Sequence, residues 1–464
     1  MARFHLAWAL VLSLSPLTAA AADWPQWQGA QRNGVSQESG LLQQWPSEGP
    51  PLLRKITGLG GGDSAPAIAG GRIFGMGGRR GEEVVWALSE SDGAEIWSTS
   101  IGEVYEQRMP QSQEGPGCTP TIDGDRLYVL GMDGTLACLT TAEGEIVWRR
   151  SLTKDFGGRV PMWSYRESPL IDGDKVIATP GAQNALMVAL DKNTGETLWE
   201  CKTPDAVADS GSSREEERPR GGFGGGVGGR PDHGGRPGFG GFGGRGGGSG
   251  AAYASAIAVD LGGKRQYVQL TSKALMGISA EDGEVLWQYK NAANSNGVTC
   301  TTPVLHDDKI FATSAYGAGG GLVKLNEAAE GKLEAEEVWF SRRMQNHHGG
   351  IVVADGAIYG ANGGNGGGAL ICLDFQTGEE LWDERGSGRA GKGSIAMADG
   401  RIYYRTEEGE VLLIEPSRDE FLERGRFKQP ERTRSPAWSH PVIANGRLYI
   451  RDQDKLFTYD VQAK

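Results

Sequence analysis

Along most of the chain, apolar and polar residues alternate over stretches of about four to eight, the period of half-buried strands and not of helices. One recurring unit opens with Pro, alternates apolar residues, turns at Gly or Asp, and closes on an aliphatic and an aromatic residue. It reads Pro66 to Phe74, Pro120 to Tyr128, Pro169 to Ile177, Pro303 to Phe311 and Pro441 to Tyr449. Ile351 to Tyr359 and Ile395 to Tyr403 keep the spacing without Pro, and Ala256 to Tyr267 carries a longer turn at Gly262-Gly263. Pro at a strand start loses no ladder bond, and an Asp-Gly or Asn-Gly turn supplies positive φ. Each unit is therefore expected to be a hairpin.

A second unit follows each hairpin. It is a short strand ending in a small residue, an aliphatic and a turn former: Ala87-Leu88-Ser89, Cys138-Leu139-Thr140, Ala189-Leu190-Asp191, Gly277-Ile278-Ser279 and Cys372-Leu373-Asp374. A Gly turn then leads to a strand bearing Trp four residues later, as in Gly93 to Trp97, Gly144 to Trp148, Gly195 to Trp199, Gly283 to Trp287 and Gly378 to Trp382. Trp339 and Phe427 are expected to fill that slot in two looser copies. Four strands per unit at a period of about 40 to 55 residues, repeated eight times, predict an all-β, eight-bladed β-propeller of antiparallel blades. The last copy, Pro441 to Asp460, lacks a fourth strand, and Leu52 to Ile56 supplies one. Pairing the two ends closes the ring and removes two sheet edges. The expected organisation is a leader over 1–22, an N-terminal segment over 23–56 and the propeller over 57–464.

The leader rests on Arg3, an apolar run from Phe4 to Leu17 and the small residues Ala20 to Ala22, the order of a secretory signal. No later run is long enough to span a membrane, and the residue directly after Ala22 is Asp23, not a cysteine that could carry a lipid at that point. An exported chain, periplasmic or extracellular and monomeric, is expected. A net charge of −12 argues against nucleic acid as partner. The five cysteines are odd in number and none are adjacent, so disulfides are not expected to hold the fold. Residues 205–250 interrupt the period with Gly-Gly-Phe and Gly-Gly-Arg tracts; this stretch reads as a disordered loop expansion, with Glu215 to Glu217 opposing its arginines.

In four-stranded blades, the links from an outer strand to the next inner strand share one face around the axis. Here those links concentrate polar and aromatic residues: Arg108, Arg159, Trp163, Tyr165, Arg166, Asn294, Arg342, Arg343, Asn346, His347, His348, Lys392, Trp438 and His440. Arginine forks and indole faces at such a rim suit a small anionic or hydroxyl-rich ligand, a glycan or a protein. The bland alternative is that these groups plug the channel and pair with Glu106, Glu114 or Glu167. Neighbouring strand residues point to opposite faces, so at most one of His347 and His348 is expected to face the channel; a metal site would need ligands from other blades, with His440 as one source. No metal is expected.

The Trp-bearing unit resembles the repeat of PQQ-dependent quinoprotein dehydrogenases and of the outer-membrane assembly propeller. Trp24-Pro25-Gln26-Trp27-Gln28-Gly29 and Gln345 to Gly350 look like segments of secreted bacterial PQQ-like propellers. The resemblance implies the propeller fold and, for the dehydrogenases, PQQ over a Trp with calcium held by carboxylate and amide oxygens. Many of those enzymes also carry a disulfide between adjacent cysteines, which this chain lacks. The expected function is a non-catalytic binding or scaffold module with no cofactor. The alternatives are a PQQ and calcium dehydrogenase and a glycan-binding or glycan-cleaving propeller.

Overall fold

Each hairpin of the repeat becomes the inner pair of a four-stranded antiparallel sheet, and each Trp-bearing strand becomes its outer edge. In the first blade the order is Ala67–Ala69, Arg72–Arg79, Glu82–Ser89 and Glu95–Glu103. The computed structural model describes residues 22–105, 115–204, 250–328, 332–364 and 367–464, and among them are eight such sheets. The expected leader apart from Ala22, residues Glu106, Arg108 and Glu114, and the glycine-rich stretch apart from Gly250 fall outside the described residues. Leu52–Ile56 pairs with Lys455–Asp460, from Leu52 opposite Tyr459 to Ile56 opposite Leu456, so both ends of the chain build the eighth blade.

The Gly-to-Trp spacing has a packing cause. Trp97, Trp148, Trp199 and Trp339 each lie on the turn glycine of the following blade and donate the indole N–H to a carbonyl there. Trp382 reaches Ser417 O of the next blade without a glycine, and Trp287 instead donates to Gln266 Oε1 of its own blade. Trp97 donates to Thr141 O at 3.0 Å, Trp148 to Lys192 O at 2.9 Å and Trp339 to Phe375 O at 3.0 Å. Gly144 has φ +72°, and a Cβ there would sit 2.4 Å from the Trp97 ring; Gly378, also at φ +72°, would meet Trp339 at 2.4 Å. Glycine is therefore required twice over, for its backbone conformation and for the approach of the ring.

The seventh blade departs from the expected pattern. The residue opposite Leu413, where other blades place Trp, is Gly425, and Phe427 stands two positions on. Trp45, from the N-terminal segment, covers Gly425 and meets Tyr403 edge-on at 5.8 Å, the ring pairing that blade-internal Trp residues make elsewhere. Phe427 keeps the docking role, packing against Gly49, which stands where the turn of the eighth blade would be.

The N-terminal segment also fills the axis. Trp24 exchanges backbone hydrogen bonds with Ile68 on the first inner strand, and Pro25 O accepts from Ile122 N on the second. Trp27 Nε1 donates to Thr302 Oγ1 at 2.8 Å, and Arg32 donates to Ser168 O at 2.7 Å. Gly34 O and Ser36 N then pair with Met397 on the seventh inner strand. A dozen residues meet inner strands on opposite sides of the ring only by lying in its centre. Asp23 and Leu41 both sit at inner-hairpin turns, bonded to Gly70 N and Asp399. The segment thus rises from that side, reverses over Gln28 (φ 57°), Gly29 (φ 81°) and Arg32 (φ 53°), and returns. Its tip forms a floor under the opposite face, where the links emerge.

Substituting Gly144→Ala and Gly124→Ala separates the two demands, because Gly124 also has positive φ (+60°) but open space around its Cβ position. Gly144→Ala should cost about 1–3 kcal/mol more in urea unfolding, the price of overpacking; equal losses would contradict indole docking.

Candidate functional site

The links and neighbouring turns bring together a compact group from the fifth, sixth, seventh and eighth blades. His347 is buried, with Nε2 2.7 Å from Tyr316 Oη and Nδ1 2.8 Å from Lys392 Nζ. Lys392, also buried, pairs with Glu407 at 2.8 Å, and Trp438 donates its indole N–H to the same Glu407 oxygen at 2.9 Å. The His348 ring lies 3.6 Å from that of His347 and 4.4 Å from that of Trp438, centroid to centroid. His440 Nε2 hydrogen-bonds His348 O at 2.8 Å, and its ring packs on Trp27 at 4.6 Å, joining the wall to the floor. The expectation that one imidazole at most would face the channel assumed a strand. Residues 345–350 form none, so the backbone lets both rings turn the same way.

Charge on this face is matched locally. Arg166 pairs with Asp63 at 3.3 Å and donates Nε to Trp163 O at 2.8 Å. Arg432 lies 3.6 Å from Asp452 and bonds Glu407 O. Glu167, weighed as a partner for these cations, instead accepts from Thr179 N and Gln269. Burial pushes both neighbouring imidazoles down, His347 to about 3 and His440 to about 4, with the Lys392 charge adding to the first. Burial likewise raises the Glu83 carboxyl to about 8, against two hydrogen bonds from Met132 N.

The remaining sequence-predicted residues go elsewhere. Tyr165 is buried, with its hydroxyl bonded to Pro180 O. Asn294 holds a turn by accepting from Asn296 N and Val298 N. Asn346 is saturated by Thr301, Gly350 and Ala361, fixing the loop that carries the histidines. Arg343 turns outward to Glu380 and Asp383 on the outer strand, and Arg159 and Arg342 are exposed. As site residues, sequence reading passed over Asp63, Tyr316 and Glu407, Tyr253, whose hydroxyl accepts from Trp163 N, and the floor residues Trp27, Gln28 and Arg32. It also passed over Arg405 and Arg451, which are fully buried and reach Ser439 O and Ser64 O to clamp the links of neighbouring blades. Tyr316 and Glu407 sit in strand-to-strand turns, where no repeat pattern marks them.

A family model described as "Outer membrane protein assembly factor BamB" matches residues 81–220, 244–384 and 366–462. The chain belongs to this family of PQQ-like propellers. It is 29% identical over 140 residues to the outer membrane protein assembly factor BamB of Salmonella typhimurium, covering 30% of this chain and 31% of that protein. The match to the Escherichia coli K12 factor is 27% over 140 residues and also covers 31% of the relative, so the chain spans under a third of these curated relatives in the matched stretch. Among solved structures, BamB from Moraxella catarrhalis superposes with TM-score 0.57 at 14% identity, covering 89% of this chain and 98% of that one. A europium-containing methanol dehydrogenase gives 0.60 at 15% identity, covering 92% and 89%. The structural likenesses establish the fold that the family shares with the dehydrogenases.

The buried imidazoles make stability pH-dependent. Their folded pKa values lie below the ordinary 6.5, so the unfolded chain binds more protons below that pH, and stability falls as pH drops from about 6.5 towards 4. Glu83 acts oppositely between its ordinary 4.5 and about 8, where the folded form holds the extra proton. His347→Gln should flatten the acid limb of urea midpoints measured from pH 7 to 4. A variant curve parallel to the parent's would show that His347 is not held neutral.

Proposed function

We propose that this chain is an exported binding or scaffold propeller that works through its link face and not as a quinoprotein dehydrogenase. The observation that carries this is the run of rings from Tyr316 through His347 and His348 to Trp438, with charges already compensated and Trp27 and His440 beneath. A face of that kind recognises ligands by ring stacking and hydrogen bonding more than by net charge, which favours a hydroxyl-rich glycan. Export is supported by the leader-like order of residues 1–22 and by the outer-membrane naming of the relatives. No helix among the described residues is long and apolar enough to cross a membrane.

PQQ with calcium asks for free carboxylate and amide oxygens beside a stacking ring. Asp63 is engaged by Arg166 and Gln453, Glu407 by Lys392 and Trp438, and Asn346 by its own loop. Among the described residues, no group of three His, Cys, Asp or Glu is placed to hold a metal ion, and the five cysteines are separate thiols. This donor set does not fit the cofactor. A protein partner at the outer membrane is the occupant that family membership favours instead of a glycan.

The test is a glycan array beside a titration with PQQ and Ca²⁺. We expect glycan binding that Trp438→Ala weakens by about 1 kcal/mol or more, the scale of a lost stacking contact, with no bound-quinone absorbance. Saturable quinone binding with dye-linked alcohol oxidation would overturn the reading. So would glycan binding indifferent to Trp438.

A further inference from the structure

We propose that the link face holds an acid–base centre in which Tyr316, backed by His347 and Lys392, cleaves a carboxylate-bearing polysaccharide by β-elimination. The inference rests on the link face being the ligand-binding face. Its geometry is a directed relay. The Lys392 ammonium only donates, so His347 Nδ1, 2.8 Å away, must accept, and the imidazole proton sits on Nε2, a tautomer assigned from the network. Nε2 is 2.7 Å from Tyr316 Oη, so the phenol oxygen receives that proton's hydrogen bond. Glu407 fixes Lys392 from behind at 2.8 Å. A buried cation is thus connected through one neutral imidazole to a half-buried phenol, an arrangement that stacking alone does not require.

Two further observations converge on Tyr316. It sits at φ 60°, a left-handed conformation that a bulky side chain adopts only when the surroundings impose it. Its turn also adjoins an open cleft of about 400 Å³ lined, among the described residues, by Gln345, Asn362, Gly363, Gly367, Gly368 and Arg385. Gln345 joins the two, accepting from Gly317 N at 2.9 Å. That volume lies in the range of small-ligand sites.

The chemistry follows from what the site offers. Glycoside hydrolysis needs two carboxyl groups flanking the bond, and Glu407 and Asp63 are both held in ion pairs. Elimination needs one base and one acid, and a single phenol serves as both. Ionised Tyr316, its charge met by His347 Nε2–H, takes the C5 proton beside a uronate carboxylate. The C4–O bond breaks, a C4=C5 double bond forms, and Tyr316 returns the proton to the departing oxygen. Atoms balance with no water, oxidant or cofactor consumed. Arg385 in the cleft wall pairs with Asp383, and the uronate carboxylate would share that cation with it.

The experiment incubates the full chain with polygalacturonate, alginate and hyaluronan, following the ultraviolet absorbance of the new double bond, product masses, and binding separately by calorimetry. We expect unsaturated products whose masses sum to the substrate's, and a loss of about 10²-fold or more in rate for Tyr316→Phe with binding retained. Uronates bound but uncleaved, products carrying added water, or parental rates in Tyr316→Phe would overturn this centre while leaving the binding face in place. If no polyuronate binds, the centre falls; if Trp438-dependent glycan binding is absent as well, the face falls with it.

Discussion

Four blade junctions are locked by an indole laid on a glycine, and the repeat is built around that contact. It explains why the repeat spends a glycine and a tryptophan at fixed separation: the glycine belongs to one blade's turn, and the ring packed on it belongs to the blade before. Trp97 on Gly144, Trp148 on Gly195 and Trp199 on Gly283 are successive links of one chain of contacts. Where the ring must close, the N-terminal segment substitutes, giving Gly49 to Phe427 and Ile56 to Gly93. Closure is thus made by the same packing rule with borrowed parts.

That borrowed segment shapes the site as well. Having supplied a strand to the eighth blade and Trp45 to the seventh, it fills the axis and leaves its tip beneath the links. A ligand on the link face therefore meets a floor of Trp27 and His440 and not an open pore. Of the cations that suggest a funnel in the sequence, Arg166 and Lys392 are tied to Asp63 and Glu407, and Arg343 turns outward to Glu380 and Asp383. What faces outward is the half-buried rings of Tyr316, His348 and Trp438, with His347, His440 and the paired Lys392 buried behind them.

The fold was legible because its determinants are local and repeated: hairpins, turn glycines and tryptophans recur within one blade. The closing strand Leu52 to Ile56 was legible for the same reason, as the missing fourth strand of a counted set. The site was legible only as a face. Arg166, Lys392, His347, His348, His440 and Trp438 all lie on links, whose position follows from topology, but their partners do not. Asp63, Tyr316 and Glu407 come from different blades at no fixed spacing, and only the ring brings them within hydrogen-bond reach. Strand alternation misjudged His347 and His348 because their backbone is a loop, held by Asn346. The axial plug left no signal, since residues 24–36 repeat nothing else in the chain.

The central claim is that this N-terminal segment is an integral part of the closed ring and the floor of its working face. Hydrogen–deuterium exchange of the backbone amides of Trp24, Ser36 and Leu42, which donate to Ile68, Met397 and Val461, tests it directly. The account predicts that they exchange as slowly as the blade strands, released by global unfolding. Exchange at the rate of free chain, with the blades still protected, would contradict it.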